Sequence, residues 1–135
     1  MTKEDIIKKV KELDLPKGSY VVFGSCPMAL AGIRESNDID LLVTKELFDT
    51  FAKQGWTLTD KGADDKPLAK DNFEAHYKWD FSSYKPTLEQ LLINATVVGG
   101  TPFAALEEVR AWKTSSGRPK DLKDIELIDN YLSKK

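Results

Sequence analysis

Apolar positions recur along this chain with two periods, and the switches between them mark out the elements. Ile6, Ile7, Val10 and Leu13 keep helical spacing, and Thr2 with Asp5 forms the pattern of a capping box, so a helix is expected over residues 3 to 13. LPKG ends it. SYVVFG is an unbroken apolar run stopped by Gly24, the pattern of a short buried strand. PMALAGIR reads as a short helix with Pro27 in its first turn, and DIDLLV as a second strand. Thr44 caps a helix carrying Leu47, Phe48 and Phe51, which Gly55 closes. Residues 60 to 72, DKGADDKPLAKDN, are mostly polar and read as a polar loop or a poorly ordered hairpin.

FEAHYKWDF alternates strictly. Phe73, Ala75, Tyr77, Trp79 and Phe81 fall on one face and Glu74, His76, Lys78 and Asp80 on the other, which predicts a strand. Thr87 opens a helix through Leu91 and Leu92, and TVVGGTPF is a short strand with a turn. ALEEVRAWK is helical, with Leu106, Val109 and Trp112 as its apolar stripe, and SSGRP breaks it. A last helix, roughly 119 to 133, places Leu122, Ile125, Ile128 and Leu132 on its apolar side. Strands alternating with helices indicate an α/β fold with a mixed sheet of four to five strands packed against helices.

Composition narrows the class. At 135 residues the chain is sized for one domain, 1–135, and 41% hydrophobic with 31% charged residues suits a folded, water-exposed protein. A net charge of −2 gives no global attraction to nucleic acid or to an anionic membrane. A lone cysteine, Cys26, excludes an internal disulfide and fits a reducing cytoplasm. The charged, amphipathic N-terminus lacks the apolar core of a signal peptide, and no stretch approaches the roughly 20 apolar residues of a membrane span.

The chemistry is concentrated in GSCPMALAGIRESNDIDL, residues 24 to 41. Asp38 and Asp40 flank Ile39 in an apolar strand, so their carboxylates project from the same face. Two like charges so close repel, and burying them is costly unless a divalent cation compensates. Upstream, Gly24 lets the backbone approach a phosphate closely, and Ser25 can donate to one.

The strand, the Gly24-Ser25 step, the twelve residues CPMALAGIRESN and the Asp38-Ile39-Asp40 strand together resemble the core signature of the nucleotidyltransferase (polymerase beta-like) superfamily. The C-terminal third, GTPFAALEEVRAWKTSSGRPKDLKDIELIDNYL, resembles the end of AbiEii-type nucleotidyltransferases and their small relatives. The resemblance spans roughly residues 20 to 43 and 99 to 132, and the extra helical domain of the longer toxins has no counterpart here. It implies Mg²⁺ (or Mn²⁺) held by Asp38, Asp40 and a third acid, for which Asp80 is the candidate, with an NTP as substrate. It further implies phosphate contacts from Gly24, Ser25, Lys113, Arg118 and Lys120, and an acid, Asp121 or Asp80, helping to activate an acceptor hydroxyl. No motif encodes the acceptor, whether RNA, protein or small molecule.

Plainer readings stand beside these. Ser25 can cap the helix that follows, Asp80 can pair with Lys78 or His76 on an exposed strand, and Lys113 can be a solvated helix charge. Lys120 and Asp124 stand at i,i+4, where a surface ion pair accounts for them, and Asp121 can favour the helix N-terminus. His76 reads as a half-exposed strand residue and not a ligand, and Trp56, Trp79 and Trp112 as core or partner-facing residues and not base-stacking platforms. Two functions follow: a metal-dependent nucleotidyltransferase, or a minimal binding module of the same fold, an antitoxin-type partner or nucleotide sensor without turnover; a purely structural descendant of the fold is disfavoured by the presence of both aspartates.

Overall fold

Val21, Val22 and Phe23 offer no polar position, because β1 (Tyr20–Phe23) is buried along its whole length. Continuous apolar runs of this kind belong to strands covered on both faces. The computed structural model describes residues 1–60, 66–80 and 83–134. Among them, a seven-stranded mixed sheet and six helices form one α/β architecture, with helices on both sides of the sheet.

In chain order the elements are α1 (Lys3–Glu12), β1, α2 (Cys26–Leu30), β2 (Ile39–Val43), α3 (Lys45–Lys53), β3 (Thr57–Leu58), β4 (Leu68–Lys70) and β5 (Phe73–His76). There follow α4 (Leu88–Ile93), β6 (Thr96–Val98), β7 (Thr101–Phe103), α5 (Leu106–Ser116) and α6 (Pro119–Ser133). The sheet order is β3-β4-β5-β2-β1-β7-β6, with β1 antiparallel to β2 and parallel to β7, and β2 parallel to β5.

Strand alternation divides the core. Val22, Ile39, Leu41, Val43, Phe73 and Ala75 pack with α1 and α3 on one face, where Phe51 stacks on Trp56 at 4.0 Å. Val21, Phe23 and Leu42 face the other way, onto Trp79, Leu91, Val109, Trp112 and Ile128 from α4, α5, α6 and the segment after β5. Phe23 is fully buried, stacked on Trp79 at 4.7 Å and edge-on to Trp112 at 5.8 Å. Truncating such a ring costs about 3–5 kcal/mol.

The helix ends obey their caps. Thr2 and Asp5 make the expected capping box, Thr44 accepts from the Leu47 N–H, and Thr87 with Gln90 makes a second capping box. Gly117, left-handed at φ 63°, ends α5 with its N–H on the Lys113 carbonyl, and Pro119 opens α6 directly after it. This tight connection folds α5 and α6 into a hairpin across one sheet face.

Three expectations are corrected. The sheet has seven strands rather than four or five. The additional ones are only two or three residues long, too short to show a period: β3, just before the polar stretch, pairs antiparallel with β4 inside it, with residues 61–65 outside the described residues, and β6 and β7 form a hairpin about Gly99-Gly100. The strand over residues 73 to 81 stops at His76. Tyr77 keeps the α3 face, edge-on to Phe48, but the chain then bends and Trp79 crosses to the opposite core; Phe81 lies outside the described residues. In α6, Leu122 is 59% exposed, and the buried line runs through Asp121, Asp124 and Ile128. Those two acids take the inward face because α5 presents a lysine to them.

Candidate active site

The face of the sheet that α5 and α6 cover is not wholly apolar. Asp40 shares it with Leu42, and the register Asp40↔Glu74 and Leu42↔His76 places two further polar side chains beside it from β5. Asp38, just before β2, projects to the same side. These groups line a cavity of about 260 Å³ together with Ser25, Arg34, Trp79, Trp112, Lys113, Arg118, Lys120 and Asp124. The cavity is bipolar: Asp38, Asp40 and Glu74 lie on the strand side, and the cations, with Asp124 among them, on the opposite side.

The strand wall is built with care for the backbone. Ser36, buried at 3% exposure, donates to the Asp38 carbonyl at 2.7 Å, and the Cys26 thiol approaches the same oxygen at 3.3 Å. Burial and the neighbouring Asp40 charge push the Cys26 thiol up to about 12, so it serves as packing and not as a nucleophile. Gly24 is left-handed at φ 64°, and a Cβ there would collide with the Asp40 side chain, 2.9 Å from its Cβ and Cγ. Glycine is therefore required for Asp40 to lie against the turn after β1.

One oxygen each from Asp40 and Glu74 and a His76 ring nitrogen fall within 4.8 Å of one another, all half-buried. His76 Nε2 stands 3.5 Å from Asp40 Oδ1, and its ring meets Trp79 edge-on at 4.7 Å. Two carboxylates and an imidazole form a donor set that suits a divalent cation.

The helix wall is an alternating ladder of charge. Arg34 donates from Nη2 to Ser25 Oγ at 2.8 Å, and from Nε and Nη2 to the two Asp124 oxygens at 3.1 and 2.9 Å. Lys113 Nζ lies 2.9 Å from Asp124 and 3.5 Å from Asp121, and Arg118 holds both Asp121 oxygens at 2.7 and 3.1 Å. Three cations share two carboxylates, leaving a positive balance on this side. Burial pushes both acids up, but the hydrogen bonds from Arg118 to Asp121, and from Arg34 and Lys113 to Asp124, outweigh it and hold both below the ordinary range.

Of the residues singled out from sequence, Ser25, Asp38, Asp40, Lys113, Arg118 and Lys120 meet around this cavity, with Gly24 beneath Asp40. Ser25 makes no side-chain cap to α2; its hydroxyl is held by Arg34 instead. Lys113 is not a solvated charge: it is 2% exposed and passes over Trp112 at 4.5 Å. Asp124 turns inward, away from the surface pairing with Lys120 that its spacing suggested. Asp121 is fully buried and clamps the start of α6, and Asp80 is exposed beyond the end of β5; neither lines the cavity. Sequence reasoning missed Arg34, Glu74 and His76. Glu74 and His76 did fall on the polar face of the alternation, but only the pairing of β5 with β2 brings that face to Asp40.

A scan against protein-family models finds no match, and no curated protein matches the chain. Among solved structures, the crystal structure of ANT(2")-Ia in complex with adenylyl-2"-tobramycin matches over 94% of this chain and 85% of that one, with a TM-score of 0.54. The fold is nucleotidyltransferase-like. At 14% identity the likeness speaks for the fold alone. Among the described residues no helix is long and apolar enough to cross a membrane.

Proposed function

We propose that the protein transfers a nucleoside monophosphate from an NTP to an acceptor hydroxyl with the help of a divalent cation. The observation that carries this reading is the bipolar cavity, with Asp38, Asp40 and Glu74 on its strand wall and Arg34, Lys113, Arg118 and Lys120 on its helix wall. A metal–nucleotide complex has matching polarity, since its cation seeks carboxylates and its polyphosphate seeks guanidinium and ammonium groups. Adenylyl transfer to a 2" hydroxyl, as the name of the molecule bound to ANT(2")-Ia describes, is a reaction of this kind.

Asp38 and Asp40, with Glu74 in the place that the sequence suggested for Asp80, would hold the cation. When bound, it supplies charge neutralisation and orientation for an in-line displacement at the α-phosphorus. The chain's own groups do the rest. Ser25 and Arg34 donate to phosphate oxygens, and Lys113 and Arg118, held in place by Asp121 and Asp124, offset the charge that gathers on departing pyrophosphate. The acceptor oxygen bonds to the α-phosphorus as the bond to the pyrophosphate oxygen breaks. The acceptor proton passes to a carboxylate of the strand wall, a role that the position of Glu74 beside Asp40 supports. The Arg118-Pro119-Lys120-Asp121 run supports an AbiEii-like relationship, and with it a protein partner of the antitoxin kind.

Binding without turnover is the second reading, favoured by the enclosure of Lys113 between two carboxylates. One assay separates the two: α-labelled NTPs with Mg²⁺ or Mn²⁺, offered RNA, proteins and polyhydroxylated small molecules as acceptors. Transfer of label that Asp38→Asn with Asp40→Asn abolishes supports the enzyme. Saturable nucleotide binding with no label transfer across all acceptors and no pyrophosphate release supports the binding module.

A further inference from the structure

The chain's sole histidine lies within the cluster that would hold the cation, and its position has chemical consequences. β5 runs parallel to β2, and the register sets Glu74 beside Asp40 and His76 beside Leu42, one step along the same face. His76 is only 12% exposed at its side chain, and Trp79 packs edge-on to the imidazole at 4.7 Å, which restricts rotation of the ring. Its Nε2 is thereby aimed at Asp40 Oδ1, 3.5 Å away.

We propose that His76 is an inner ligand of the cation site, making it an Asp40–Glu74–His76 centre that selects a first-row transition ion such as Mn²⁺ over Mg²⁺. The proposal deepens the functional reading above and rests on its assignment of Asp40 and Glu74 to the metal. Neighbouring ligand atoms around an octahedral divalent ion lie about 3.0 Å apart, given metal–ligand bonds near 2.1 Å. The observed 3.5 Å separation and the 4.8 Å span of the three atoms close onto such an ion with sub-ångström shifts of side chains already on one face. Donor chemistry then decides the ion. Mg²⁺ demands oxygen and keeps its waters, whereas imidazole nitrogen raises affinity for transition ions in the order that begins with Mn²⁺. A centre of oxygen donors alone would leave the choice to availability; one nitrogen tips it.

A single histidine makes the test unambiguous, provided the protein carries no histidine tag. Mn²⁺ is bound to the nucleotide-free protein and pulsed EPR records the nitrogen modulation, once with natural histidine and once with ¹⁵N-imidazole histidine. Calorimetry measures Mn²⁺ and Mg²⁺ affinity for wild type, His76→Gln and Asp40→Asn. The expected result is a histidine nitrogen modulation that changes with the isotope and Mn²⁺ binding at least about tenfold tighter than Mg²⁺. His76→Gln should then lose that preference, about tenfold or more in Mn²⁺ affinity, with Mg²⁺ affinity nearly unchanged. A merely structural His76 would lower both affinities together or neither. Absence of isotope-sensitive modulation, or equal affinity for the two ions in wild type, overturns the proposal, and the labelled wild type decides even where His76→Gln fails to fold. Loss of all metal binding in Asp40→Asn alongside a negative histidine result retains the functional reading and rejects only the ligand role. Full Mn²⁺ binding in Asp40→Asn rejects both.

Discussion

Replacing Gly24 by alanine puts a Cβ where Asp40 already lies, and the cost divides into two parts that other glycines can separate. The first is backbone conformation. Gly24 has φ 64°, in the left-handed region, where an alanine costs about 1–2 kcal/mol. The second is contact: the new Cβ meets the Cβ, Cγ and Oδ2 of Asp40, with separations of 2.9 Å to the first two. These are central atoms of a short side chain on a buried strand, and forcing them aside costs a further 1–3 kcal/mol or so. Gly32 provides the control, with φ 76° and nothing within 4 Å of the place its Cβ would take. Gly32→Ala should lose about 1–2 kcal/mol in urea unfolding and keep the metal affinity of the wild type. Gly24→Ala should lose about 2–5 kcal/mol, and Mn²⁺ affinity should fall at least about tenfold because Asp40 has been displaced. Equal stability losses in the two variants, with metal binding intact in both, would refute the claim that this glycine exists to seat Asp40.

Further outcomes follow from the same geometry. Glu74→Gln should cut Mn²⁺ binding by about tenfold or more, whereas Asp80→Asn, beyond the end of β5, should leave it unchanged in calorimetry. Arg34→Ala removes the donor to Ser25 and two bonds to Asp124, and should weaken triphosphate binding by about 1.5–3 kcal/mol; Arg34→Lys should not restore it, since a single ammonium lacks the planar fork that spans both Asp124 oxygens and Ser25. Asp121 and Asp124 both titrate below their ordinary value of 3.8, so their stabilising contribution is complete above pH 4 or so and is lost as pH falls through their lowered native values. Acid unfolding followed by circular dichroism should therefore set in below about pH 4, and Asp124→Asn should flatten that part of the curve.

Much of the frame was legible because its signals are local. Capping residues at Thr2, Thr44 and Thr87 mark helix starts irrespective of tertiary context, and the apolar runs at β1 and β2 report burial on both faces. Asp38 and Asp40 were visible through their spacing within such a run. What escaped notice depends on partners distant in sequence. Glu74 becomes part of the site only through the pairing of β5 with β2, and no local property distinguishes it from Asp80, six residues on along the same polar alternation. Trp79 defeated the alternation because the Phe23 and Trp112 rings on the opposite face offer a better packing site than the continued strand. Leu122 was expected inside α6 because hydrophobicity ranks leucine above aspartate. The buried lysine at position 113 reverses that order by giving Asp121 and Asp124 a partner away from water.

The most direct test of the bipolar cavity is a crystal structure with Mn²⁺ and a non-hydrolysable NTP, with the metal located by its anomalous signal. The expected result is an anomalous peak bounded by Asp38, Asp40, Glu74 and His76 on the strand side, with the triphosphate extending toward Arg34, Lys113 and Arg118 on the helix side. A metal peak remote from Asp40, or a triphosphate seated in another groove while this cavity holds only water, would contradict it.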